Sequence, residues 1–279
     1  MSYTQNEIRE LRKIAATLRG HLIDMIPPGK VGHLGGSSSI MDVTAALYFK
    51  HMKVFSDPKD PRRDRCVFSK GHAVLAQYAA FAELGYVSRE DLHKVKTLDG
   101  TLQGHPGMDH TPGIEAVTGS LGQGLSVSLG MALGLRLDGS ESRVYCIVGD
   151  GELDEGQIWE AAMAAAAHRA DNLTAIIDYN KVQATDTTEK VLPVGQLKEK
   201  WASFGWNAIE IDGHDFCQIL DALKAAEACK GRPTAIIADT VKGKGFPFAE
   251  GKAAYHNAAM NEEEYKIAQA MVEKMKEEA

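Results

Sequence analysis

The chain has 279 residues and a formal net charge of −7, with no lysine or arginine run that could track a phosphate backbone, so its composition argues against a nucleic-acid partner. Its longest apolar stretches are strand-length and residues 1–12 are polar and charged, which excludes a membrane span or signal-peptide core and predicts a cytoplasmic protein. Four cysteines, Cys66, Cys146, Cys217 and Cys229, lie far apart without a CxxC pair; buried free thiols are expected rather than disulfides or zinc ligands.

In chain order, Thr4-Gln5-Asn6-Glu7 has capping-box spacing. Ile8, Leu11, Ile14, Ala15, Leu18 and Leu22 then make an apolar face, predicting a helix that ends before Pro27-Pro28-Gly29. Helical patterns recur over 40–49, 74–84 and 125–137. From residue 144 strands and helices alternate: strand 144–148, helix 155–168, strand 173–178, helix near 195–204, strand 208–211, helix 216–229, strand 234–238. That alternation predicts an α/β fold, a doubly wound, mostly parallel sheet with helices on both faces. The tail from Asn261 reads as a charged helix with Tyr265, Ile267, Ala268, Met271 and Met275 as a docking stripe. No repeat, linker or interior boundary interrupts the chain, so one domain over 1–279 is expected; at that length it buries about three-quarters of its unfolded surface.

The most informative segment is Gly149-Asp150-Gly151, followed thirty positions after Asp150 by Asn180. Asp150 follows one predicted strand and Asn180 the next, so a right-handed crossover brings both to one sheet edge. A carboxylate and an amide oxygen suit Mg²⁺ or Ca²⁺ but are too few to cage it, so a bound phosphate and water should complete the shell. Gly149 and Gly151 let the backbone approach that phosphate. The plainer reading is an acidic turn with an ordinary loop asparagine, and the partner at this distance in this strand context weighs against it.

Residues 149–180, GDGELDEGQIWEAAMAAAAHRADNLTAIIDYN, resemble the thiamine diphosphate fingerprint in its transketolase version. The resemblance extends through Gly32-His33, Ser69-Lys70-Gly71-His72, Gly104-His105-Pro106-Gly107, Gly119-Ser120-Leu121-Gly122-Gln123-Gly124, and Lys242-Gly243-Lys244-Gly245 leading to Tyr255-His256. It covers only the first of the three transketolase domains. The resemblance therefore implies the N-terminal subunit of a split transketolase, with pyrimidine-binding and C-terminal domains on a separate partner chain and two copies of each chain. An apolar surface should be exposed on the isolated subunit. The implied reaction is transfer of a two-carbon ketol unit from a ketose or ketose phosphate to an aldose.

The same resemblance implies thiamine diphosphate as cofactor and Mg²⁺ as metal, with Ca²⁺ or Mn²⁺ able to substitute. It implies Asp150, Asn180 and the Val182 carbonyl as metal ligands, and His72, Gly119, Ser120, Leu121, Gly151, Lys242 and His256 as cofactor contacts. His33, His105 and His256 are implied as catalytic, the first and last in proton movement on the substrate hydroxyl and His105 as a donor to the sugar's terminal hydroxyl. His214 and His168 read as structural, in a turn and at a helix end. Leu34-Gly35-Gly36 after His33 and Ala73-Val74 after His72 depart from many transketolases, so donor specificity is not carried over. Alternatives are a deoxyxylulose phosphate synthase-like or 2-oxo acid dehydrogenase-like subunit, and a non-catalytic transketolase-like partner.

Overall fold

The computed structural model describes residues 3–279. The first helix, α1 (Gln5–Met25), starts on the expected capping box: the Glu7 amide donates to Thr4 Oγ1 at 3.2 Å and the Thr4 amide to Glu7 Oε2 at 2.9 Å. Next come α2 (Leu34–Ser39), α3 (Met41–Ala46) and a π-turn, Leu47–His51. This corrects the single helix expected over 40–49. The Leu-Gly-Gly-Ser-Ser-Ser sequence of α2 has poor helix propensity, but all six residues are buried, and packing overrides propensity.

Strand β1 (Arg65–Phe68) was not foreseen, because four residues give no readable alternation. A 3₁₀ turn, Gly71–Ala73, leads into α4 (Val74–Leu84), then α5 (Arg89–His93) and α6 (Gln123–Leu137). The expected alternation follows: β2 (Val144–Gly149), α7 (Gly156–Ala167), β3 (Leu173–Tyr179), the short α8 (Thr188–Val191), α9 (Leu197–Ser203), β4 (Asn207–Asp212), α10 (Phe216–Ala228), β5 (Thr234–Asp239) and α11 (Glu262–Glu278).

The five strands form one sheet in the order β1-β2-β3-β5-β4, and every pairing is parallel. Because side chains alternate along a strand, β2 feeds both faces. Tyr145 and Ile147 pack with α1, α3, α4 and α10, while Val144, Cys146 and Val148 pack with α6, α7 and α9. Helices therefore cover both faces, as the doubly wound reading requires.

Helix α11 packs along α1, with Ala268 and Val272 buried and Tyr265 and Met275 partly buried against the core. Ile267, expected in that stripe, is exposed, and Val272 takes its place. The cysteine expectation also needs correction: Cys66 and Cys146 are buried and free, but Cys217 is exposed and Cys229 half-buried. Val127 on α6 and Met163 on α7 are individually exposed apolar side chains. No described helix is long and apolar enough to cross a membrane.

Candidate functional site

Successive crossovers bring the carboxyl ends of adjacent parallel strands to one edge, where open α/β sheets bind ligands. Lys70 and His72 follow β1, Asp150 follows β2, Asn180 and Val182 follow β3, and Lys242 follows β5. All line one cavity of about 260 Å³. The strand register sets the level of the two acidic-end residues, since Gly149 pairs with Asp178.

Four histidines from distant loops meet at this cavity. His33 is the hub, with ring centroids 5.3 Å from His72, 5.7 Å from His105 and 5.8 Å from His256. His72 and His256 are 4.9 Å apart. The loops are tied by backbone: Gly32 and Ala258 exchange hydrogen bonds at 3.0 and 3.1 Å, and the Gly243 amide donates to the Gly35 carbonyl at 3.0 Å. Gly119 holds the His105 side, because a Cβ there would lie 2.8 Å from that ring and the backbone sits at φ 138°, where an L side chain is strained.

Burial determines the charge of the cluster. It pushes His33 down to about 3, helped by Lys96, and His72 down to about 2, helped by Lys70. Burial followed by Lys242 takes His256 down to about 4, and partial burial with Lys96 lowers His105. At neutral pH these are uncharged imidazoles, each able to donate from one nitrogen and accept at the other. His33 Nδ1 is buried without a hydrogen-bond partner, which is uncommon for a buried polar atom.

At the other end Asp150, 3 % exposed, accepts from the Gly151 amide at 2.8 Å and the Lys181 amide at 2.5 Å. Burial and then the charge of Asp178 push its carboxyl up to about 7. Asn180 Nδ2 donates to Asp178 at 2.9 Å, and Asn180 Oδ1 accepts from the Val182 amide at 3.1 Å. The Val182 carbonyl accepts from Lys242 Nζ at 2.8 Å, and that ammonium lies 3.0 Å from His256 Nδ1.

Among the described residues no group of three or more His, Cys, Asp or Glu could hold a metal. A soft or all-protein metal site is therefore not offered. A buried carboxylate, an amide oxygen and a peptide carbonyl in one cavity form a hard-oxygen set that fits Mg²⁺ bound jointly with phosphate and water. A divalent cation would also offset the cost that burial imposes on the Asp150 charge.

Of the expected site residues, Gly119, Leu121 and Gly151 also line the cavity, and Ser120 alone lies outside its lining, exposed on the loop. The sequence reading missed three charged residues. Lys70 donates to Asp178 Oδ2 at 2.5 Å and to the Gly36 carbonyl at 2.7 Å. Asp178, fully buried, also accepts from Ser39 at 2.6 Å and from Thr240. Glu152 ties three loops by accepting from the Gly122 amide at 2.9 Å, the Gly149 amide at 3.0 Å and Ser69. Glu152 and Asp178 lie inside the 149–180 fingerprint and Lys70 inside the Ser69-to-His72 block, which was the available signal. His214, read from the sequence as a turn residue and helix cap, has Nδ1 2.7 Å from Asp42 and Nε2 accepting from the Val241 amide at 3.0 Å. The cap of α10 is its neighbour Asp215.

Residues 11–275 match the family described as transketolase, thiamine diphosphate binding domain. The chain belongs to that family. This transketolase chain is 46% identical over 268 residues to the 6-deoxy-6-sulfo-D-fructose transketolase subunit of a Clostridium species, covering 95% of this chain and 97% of that one. It is 40% identical over 251 residues to an apulose-4-phosphate transketolase subunit of Phocaeicola vulgatus, covering 90% and 89%. Against human transketolase the identity is 37%, over 90% of this chain but 40% of that protein. Its fold superposes on Pichia stipitis transketolase in complex with sedoheptulose 7-phosphate with a TM-score of 0.88 at 28% identity, covering 96% of this chain and 44% of that one. The transketolase chain thus spans nearly the whole of its subunit relatives and less than half of the solved enzymes.

Proposed function

We propose that this chain is the thiamine diphosphate-binding subunit of a two-subunit, cytoplasmic transketolase that moves a two-carbon ketol unit from a ketose or ketose phosphate to an aldose. The observation that carries the reading is one cavity with Asp150 and Asn180 at one end and four neutral histidines at the other. Residues 1–279 act as a single domain. The pyrimidine-binding and C-terminal domains are assigned to a separate chain, two copies of each subunit forming the enzyme. The relatives of matching length, named as subunits, support that division.

Thiamine diphosphate, when bound, supplies the electron sink that makes cleavage beside a ketone feasible. Asp150, Asn180 and the Val182 carbonyl would hold Mg²⁺, with Ca²⁺ or Mn²⁺ able to substitute. Gly119, Ser120, Leu121, Gly151 and Lys242 would line the cofactor, with His72 and His256 beside it. His33 and His256 receive the proton of the substrate hydroxyl as its carbon-carbon bond breaks and return a proton to the acceptor. Their neutral state is what permits this, since a protonated imidazole cannot act as a base. His105 orients the donor by its terminal hydroxyl.

The test is ketol transfer from xylulose 5-phosphate to ribose 5-phosphate with thiamine diphosphate and Mg²⁺, using this chain alone and with its partner subunit. Activity only in the mixture supports the reading. Cofactor binding by the mixture without transfer to any aldose moves the chain to another thiamine diphosphate reaction.

A further inference from the structure

The loop that leaves β5 carries Lys242, whose ammonium reaches the Val182 carbonyl and His256. Two side chains that line no part of that cavity hold the loop from behind. His214 Nε2 accepts from the Val241 amide at 3.0 Å, one position before Lys242. Arg19 Nε donates to the Lys244 carbonyl at 3.2 Å, two positions after it. Ser38 Oγ donates to the same carbonyl at 2.5 Å.

Asp42 joins the two. Its Oδ1 accepts from Arg19 Nη1 at 2.8 Å, and its Oδ2 from Arg19 Nη2 at 2.9 Å and His214 Nδ1 at 2.7 Å. Asp42 and Arg19 are both buried. Burial raises the Asp42 carboxyl, but the Arg19 charge and the His214 hydrogen bond hold it well below its ordinary value, so it remains an acceptor. A ring nitrogen that accepts carries no proton, so the Val241 bond at Nε2 places the imidazole proton on Nδ1, where Asp42 takes it. One neutral tautomer serves both bonds, and the carboxylate selects it.

A turn residue would not need this ring geometry. The turn is closed by the His214 amide, which donates to Asp212 Oδ1 at 2.8 Å, and α10 is capped by Asp215. The ring instead runs from α3 to the Lys242 loop. Gly245 completes the fit: at φ 93° it has no Cβ, which would lie 3.2 Å from Arg19 Cδ and Nε. A lysine ammonium rides on a long flexible stem, so where it lands depends on how firmly the backbone beneath it is held.

We propose that His214 is a positioning residue for Lys242. Through the Val241 amide it sets where the ammonium meets the Val182 carbonyl and His256, and so how tightly the site takes Mg²⁺ with thiamine diphosphate. What fills the cavity rests on the transketolase reading; the anchor on Val241 does not.

The test uses the enzyme assembled with its partner subunit, as wild type, His214→Gln, His214→Leu, Lys242→Met and the double variant His214→Leu with Lys242→Met. His214→Leu leaves both Arg19 bonds to Asp42 in place. Val241 and His214 line a second cavity, of about 690 Å³, from which water can replace the lost bond, so the urea midpoint should hardly move. Hydrogen exchange over residues 241–251 should nevertheless quicken. Calorimetry with thiamine diphosphate and Mg²⁺ should show binding weakened about tenfold, the lower end of what removing a partner of a metal ligand costs. His214→Gln, whose amide oxygen reaches as far as Nε2, should restore most of the affinity and the slow exchange. In the Lys242→Met background, His214→Leu should weaken binding no further.

Unchanged affinity in His214→Leu overturns the proposal, as does the same loss with and without Lys242, which would make His214 a general support of the fold. Exchange over 241–251 that ignores His214 removes the anchor itself. A wild-type enzyme that binds no thiamine diphosphate overturns the transketolase reading, and the exchange measurement still decides the anchor.

Discussion

The buried pair Lys70–Asp178 permits the sharpest test of how this site is held together. Asp178 is fully buried and Lys70 is 1 % exposed. In Asp178→Asn the ammonium keeps the Gly36 carbonyl at 2.7 Å but loses its counter-charge. Removing one partner of a buried pair costs about 3–5 kcal/mol, which for a domain of this size lowers Tm by roughly 6 °C or more. Lys70→Met should cost less, because the stranded carboxylate still accepts from Ser39 at 2.6 Å, Asn180 at 2.9 Å and Thr240. In the double variant no uncompensated charge remains, so it should be more stable than Asp178→Asn alone. Urea unfolding of the four proteins gives the coupling as a double-mutant cycle. Burial raises the Asp178 carboxyl, but the Lys70 charge and the hydrogen bonds outweigh it and hold the group below its ordinary value. A depressed carboxyl contributes stability above the unfolded value of about 3.9, and that stability is lost as pH falls through the folded one. The gap between wild type and Asp178→Asn should accordingly narrow in acid. Costs that simply add in the double variant, or a gap indifferent to pH, would refute the reasoning.

Other outcomes follow from the same geometry. Asp150→Ala should weaken Mg²⁺-dependent thiamine diphosphate binding at least tenfold, the loss of a charged contact, while the chain stays folded; calorimetry showing unchanged affinity removes Asp150 from the metal. Gly119→Ala places a Cβ 2.8 Å from His105 at φ 138° and should cost about 1–3 kcal/mol, read by urea unfolding, with an unaffected midpoint counting against the close approach. His33 and His72 are held down to about 3 and about 2, chiefly by burial. The unfolded chain therefore takes up protons near pH 6.5 that the folded chain refuses, so their contribution is present above that pH and fades as pH falls toward 3. Replacing both with asparagine should flatten the fall in Tm between pH 7 and pH 5, and parallel curves would show that these imidazoles do not set the slope.

What could be read from the sequence and what could not differ in how local the signal is. Asp150 and Asn180 are legible because a strand-helix-strand crossover fixes their separation, and β2, α7 and β3 were readable from apolar runs and an alanine-rich helix. Three of the four histidines directly follow a glycine and His256 follows a glycine-lysine loop, although nothing local places them on one hub; the Gly32–Ala258 exchange that joins two of their loops spans most of the chain. Lys70 and Asp178 were passed over because charged side chains default to the surface, and only a partner 108 positions away makes their burial tolerable. Strand β1 was too short to alternate, and α2 was hidden by residues chosen for closeness rather than propensity: a Cβ on Gly35 would lie 2.9 Å from the Tyr255 carbonyl and 3.0 Å from the Lys242 stem. That last contact explains why the hidden helix belongs to the site. α2 follows His33 directly, and it can pack against the Lys242 and His256 segments only because its second residue has no side chain. The poor helix former is thus a condition for the histidine cluster, and its helicity has to come from the packing it permits.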